Sequence, residues 1–155
     1  MNKALVIPVV DPAVRRLCYK AYPNHPKGCP NFDKKDGCPP GAPDIRDTLD
    51  FEKPIYAVWN KFPFGDHVRK MLACHPDWSH RQLECCLYWQ GTARKQLREH
   101  INTALAELGP ATVVKTPEAQ GVNVTETMKK IGIELEWPPK EWAYQVALIG
   151  TPRIV

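Results

Sequence analysis

The sequence predicts an α/β (or α+β) fold: a single compact domain with one long helix, a small sheet and a cysteine/proline-rich N-terminal loop. Three observations predict it. An apolar stripe at helical spacing runs through residues 79–108; strand-like apolar runs occupy 55–59, 111–115 and 144–149; and six of the 16 prolines crowd into residues 22–43. Helices interleaved with a few strands bury their apolar faces as layers around one core, and 155 residues suit one domain.

By character the chain divides into a cysteine/proline loop region (1–43), a helical region (44–109) and a strand–helix–strand region (110–155). The first helix is expected from Pro12 to Ala21. Asp11 offers a capping carboxylate, and Pro12 suits a first helical position that has no use for its missing N–H. Val14, Leu17, Cys18 and Ala21 share one face. From Tyr22 to Pro43 the density of proline and glycine excludes a helix or a central strand. Asp44–Phe51 reads as a short helix, Ile55–Trp59 as a strand, and Asp66–Ala73 as a helix ended by Pro76.

The long helix is expected from Ser79 to about Leu108. Ser79 and Gln82 form a capping-box pair, Leu83, Cys86, Leu87, Leu97, Ile101, Ala104 and Leu108 trace the stripe, and Gly109-Pro110 stops it. Gly91 is its weak point, where a kink or break is expected. Ala111–Lys115 follows as a strand. Asn123 and Glu126 then open a helix to about Ile131, with Gly132 as its stop, and Tyr144–Ile149 reads as a strand fit for the sheet centre.

Composition narrows the function classes. No run approaches the ~20 apolar residues that cross a bilayer, and the apolar stretch Ala4–Val10 is broken by Pro8 and lacks a cleavage site. A cytoplasmic protein with no membrane partner is expected. In a reducing compartment its six cysteines read as thiols or metal ligands rather than a disulfide framework. A net charge of +4 suits an anionic substrate but is too small to announce a nucleic-acid binder. The phosphate-loop, dinucleotide and zinc-protease motifs are all missing.

The informative constellation is Cys18, Cys29 and Cys38, followed by Cys74 and the pair Cys85-Cys86. Cys29 and Cys38 each follow a glycine and precede a proline. Glycine lets the backbone turn tightly around an inorganic core, and proline removes a competing N–H, a device familiar from iron–sulfur proteins. Cys18 on an apolar helix face reads equally as core packing; the company of the other two promotes it to third ligand. Structural zinc brings ligands in pairs two to four residues apart, and no such pair exists here. Wide spacing favours an iron–sulfur cluster, of the [4Fe–4S] type, over zinc, although His25 between Cys18 and Cys29 keeps zinc as the alternative. Cys86, taken to face inward with Leu83 and Leu87, is the chosen fourth ligand over Cys85 and Cys74. If none of them reaches the cluster, one iron is left open for Lewis-acid chemistry. Cofactor and metal ligation are thus both assigned to Cys18, Cys29, Cys38 and Cys86, in a single metal-binding domain spanning 1–155.

Two further segments carry chemical potential. Arg94, Lys95 and Arg98 near Trp78, Tyr88 and Trp89 match the composition that grips phosphate while stacking on bases, so RNA is a partner to consider. The interspersed Glu84, Glu99 and Glu107 equally describe a solvated helix face. The loop from Thr116 to Gly121 offers Glu118 to a ligand.

Cys38-Pro39-Pro40, together with Glu118-Ala119, Gly121-Val122 and the stretch Lys129–Ile133, resembles an uncharacterised family of cysteine-rich proteins, predicted to bind metal, from anaerobic bacteria and archaea. The similarity covers about half the chain. It implies metal binding and oxygen-sensitive iron–sulfur chemistry and supplies no reaction; a redox partner or a small or anionic substrate is expected from the cysteine pattern and the charge instead. The resembling proteins carry a further close-spaced cysteine group before the Glu-Ala segment. Residues 87–155 here contain no cysteine, so a second cluster is not expected.

Overall fold

Residues 2–14 and 42–154 are described by the computed structural model of the chain. Their framework is a four-stranded antiparallel sheet in the order β1-β2-β4-β3, with β1 at Lys3–Leu5, β2 at Ile55–Phe62, β3 at Thr112–Val114 and β4 at Ala143–Gly150. The central pair, β2 and β4, runs in register from Ile55 opposite Gly150 to Phe62 opposite Ala143. β4 is central, as its nearly unbroken apolar sequence predicts for a strand covered on both faces. β1 had no counterpart among the expected strands, because Pro8 masks a short strand that ends before it.

Helices cover both faces. Alternation along the central strands sends Val58, Ala147 and Ile149 to one side, where they meet Leu97, Ile101 and Ala104 of α4 (Gln90–Leu108). Ile55, Ala57, Val146 and Leu148 point the other way, onto α1 (Ile45–Thr48) through Ile45 and Leu49, and onto α5 (Val124–Lys129) through Val124 and Met128. Each layer hides apolar area worth ~25 cal/mol per Å². The mixed α/β architecture is therefore as the sequence predicts.

Several element ends follow their capping chemistry. Asp44 accepts from the Arg46 N–H at 2.8 Å and Asn123 from the Glu126 N–H at 3.0 Å. α4 stops at Gly109, whose φ of 82° suits glycine, while its N–H closes on the Leu105 carbonyl at 2.9 Å. α1 is shorter than the predicted Asp44–Phe51. β2 extends past Trp59 to Phe62, and α2 covers Phe64–Cys74, wider than Asp66–Ala73 at both ends.

The predicted helix from Ser79 to Leu108 is not continuous. The capping box forms: Ser79 Oγ accepts from the Gln82 N–H at 3.3 Å, and Gln82 Oε1 from the Ser79 N–H at 2.8 Å. It opens only the short helix α3 (His80–Leu83); a 3₁₀ turn at Cys86–Tyr88 follows, and α4 starts at Gln90. The break lies before Gly91, and its cause is Trp89. That ring stacks on Phe62 with centroids 5.2 Å apart and meets Phe64 edge-on at 5.3 Å. Its Nε1 donates to the Glu84 carbonyl at 3.2 Å, satisfying an oxygen at the end of α3. The chain turns where the half-buried indole packs on Phe62 and Phe64, so tertiary contacts accompany the departure from a locally consistent helical pattern.

Candidate metal centre

In sequence the cysteine/proline segment is flanked by two described anchors, both of which sit on the α1/α5 side of the sheet. At its start, Val10 pairs with Val122, the Asp11 N–H donates to the Gly121 carbonyl at 2.7 Å, and the Asp11 carboxylate accepts from the Ala13 N–H at 3.0 Å. The chain then makes a 3₁₀ turn over residues 12–14, the described part of the predicted helix to Ala21. At the segment's far end Ala42 is buried, and α1 begins at Ile45. Thr48 of α1 donates its hydroxyl to Gln120 Oε1 at 2.7 Å. Both anchors therefore close on one stretch of chain, the 3₁₀ turn Pro117–Gln120 and the glycine after it. Gly121 has φ 92°, the left-handed conformation that lets the backbone reverse there.

Beside the first anchor is a cleft of about 400 Å³ bounded by Val14, Glu118, Val124, Glu126 and Trp137. Trp137 is held by its Nε1, which donates to Thr125 Oγ1 at 2.8 Å. Surrounding protein pushes the Glu118 carboxyl above its ordinary range, an effect that solvent tempers because the residue itself is exposed. Glu118 thus lines a cleft that Val14 also borders.

Of the four assigned ligands, Cys18, Cys29 and Cys38 lie outside the described residues, as does His25. Cys86 is described, and its expected inward orientation is corrected. It is the first residue of the 3₁₀ turn and is exposed, and the adjacent Leu87 is 84% exposed. The stripe joining Leu83, Cys86 and Leu87 required an unbroken helix; once the chain turns at Glu84, only Leu83 is buried. Cys85 is half-buried, and Cys74, the last residue of α2, is exposed. Among the described residues no group of three or more His, Cys, Asp or Glu side chains gathers to hold a metal ion.

Arg94, Lys95 and Arg98 are all exposed on α4. The aromatic residues near them are occupied within the fold. His75 stacks on Trp78 at 3.8 Å and 5°, Trp78 meets Tyr88 at 5.2 Å, and Trp89 is turned to Phe62. One group had no signal in the sequence: His67 of α2, whose Nε2 is enclosed with no hydrogen-bond partner. Burial, with Lys70 nearby, pushes the His67 imidazolium toward losing its proton.

No family model, curated protein or solved structure matches this chain. No helix among the described residues is long and apolar enough to cross a membrane.

Proposed function

We propose that this chain is a cytoplasmic, cysteine-ligated metalloprotein that binds one iron–sulfur cluster, of the [4Fe–4S] type, through Cys18, Cys29, Cys38 and Cys86. The cluster would serve redox or Lewis-acid chemistry on a small or anionic substrate. The observation that carries this reading is the repeated Gly-Cys-Pro at Cys29 and Cys38, with Cys18 eleven residues ahead of the first. Polar, proline-rich sequence of that kind has no periodic reason to bury thiols, and thiolates are the donors such clusters take. The resemblance to cysteine-rich proteins of anaerobes points the same way.

Two structural facts are compatible with it. The described residues on either side of the cysteine/proline segment, Asp11 and Thr48, both bond to the turn at Gln120 and Gly121. Cys86 is exposed, so its thiol need not leave the core to serve as a ligand. When bound, the cluster supplies electrons or an electrophilic iron. The chain's own contribution would be the thiolates and the cleft beside Glu118.

Anaerobic purification with iron and acid-labile sulfide analysis tests the proposal, and Cys29→Ser and Cys38→Ser should each abolish both. Cys86→Ser, compared with Cys85→Ser and Cys74→Ser, identifies the fourth ligand. The rival reading is a structural-zinc module that meets RNA or a protein partner, favoured by the exposed Arg94, Lys95 and Arg98. Stoichiometric zinc, with salt-dependent RNA binding lost on substituting those three, would establish it instead.

A further inference from the structure

We propose that the outer edge of β1, with the groove beside it, takes an extended acidic peptide segment of a partner protein, added to the sheet as a fifth strand. The inference is independent of the metal centre and rests on backbone geometry, exposed apolar surface and charge.

The Val6 N–H donates to the Ile55 carbonyl at 2.9 Å, and the Trp59 N–H to the Asn2 carbonyl at 3.1 Å. Asn2, Ala4 and Val6 therefore turn their peptide groups toward β2, since backbone direction alternates along an antiparallel ladder. Lys3 and Leu5 turn theirs outward, along an edge that no described strand covers. Such an edge is a template for another extended chain.

Side chains around the edge indicate what that chain would carry. Leu5 is 60% and Ile7 78% exposed, and Phe51 is exposed across the groove. These apolar groups surround a space of about 510 Å³ floored by Ile131. Apolar surface of this kind, continuous with an open strand edge, is characteristic of interaction sites. Lys53 and Lys130 border the groove, and among its described lining residues there is no carboxylate. A second copy of the chain would set one such basic rim against another. An acidic segment complements it: alternate apolar side chains turn to the groove, and carboxylates at the ends of the added strand reach the two ammonium groups. The outward peptide groups favour a polypeptide over a lipid, which has no row of amides to offer them.

Fluorescence anisotropy with the full-length protein and a labelled peptide of alternating glutamate and valine, about six residues long to span the edge and groove, tests the proposal. Saturable binding below about 1 mM is expected. The double substitution Lys53→Glu/Lys130→Glu should weaken it by at least about tenfold. N-methylation of the peptide amides that would face β1 should abolish binding to the unmodified protein, a readout that does not depend on how the variant folds. Failure to saturate, equal binding of a lysine–valine peptide, or indifference to N-methylation would overturn it. A dimer in sedimentation that excludes the peptide would assign the edge to a second copy and overturn it as well.

Discussion

Asn60 is buried within the sheet, on the face that meets α4. Its amide nitrogen donates to Gln96 Oε1 at 2.9 Å and to Gln145 Oε1 at 3.0 Å, with the Ala93 carbonyl at 3.4 Å. Two hydrogens thus tie a residue of α4 and one of β4 to the centre of β2. Asn60→Ala would strand both glutamine oxygens and should cost about 1–3 kcal/mol in urea unfolding. His67 presents the opposite situation, a ring nitrogen enclosed without a partner. Its folded-state pKa is lowered, so the unfolded chain takes up the proton first as pH falls below 6.5. Stability should therefore be undiminished by this group above that pH and decline below it. His67→Phe should remove that part of the decline, as measured by denaturant midpoints across pH 5–8. Neither residue stood out in the sequence, because enclosure is decided by partners far along the chain.

At the scale of elements, Trp89 decides the path from α3 to α4. Trp89→Ala would delete the stack on Phe62 and the bond to the Glu84 carbonyl, and should cost about 2–4 kcal/mol in thermal or chemical unfolding. An unchanged midpoint would mean that the turn, not the ring, holds the break. The same contrast marks how far the sequence can be read. Ser79 with Gln82, Asn123 with Glu126, and Gly109 with Pro110 marked element ends correctly, because each acts through bonds to its immediate neighbours. Gly91 marked the neighbourhood of a break, but its place at Glu84–Trp89 was illegible because Cys86 and Leu87 continue the apolar spacing while Trp89 is recruited by Phe62, 27 positions earlier. The assignment of Cys86 to an inward face failed with it. Gly121 makes a prediction at this scale too. Gly121→Ala places a side chain at φ 92° and should cost ~1–2 kcal/mol while loosening the Asp11 anchor. Faster hydrogen exchange at the Asp11 and Asn123 amides would report it.

At the scale of the whole molecule, the described residues form a body of one sheet between two helical layers. Among the described residues, the apolar clusters on both faces of the sheet are built without Cys86. Removing the cluster, by chelation or by Cys29→Ser/Cys38→Ser, should therefore leave amide protection in β2 and β4 unchanged. Loss of that protection would make the metal a folding requirement, as it is in small zinc modules. The layered body was legible in the periodicity of its strands and of α4. The proposed site rests on sequence chemistry alone: Gly-Cys-Pro suggests Cys29 and Cys38 as donors, while spacing leaves the proposed fourth ligand among Cys86, Cys85 and Cys74.

The most direct measurement is the metal and sulfide content, with the visible spectrum, of protein prepared without oxygen. A brown protein with about four iron and about four acid-labile sulfide per chain is the expected result. A colourless protein with stoichiometric zinc, or with no metal at all, would contradict it.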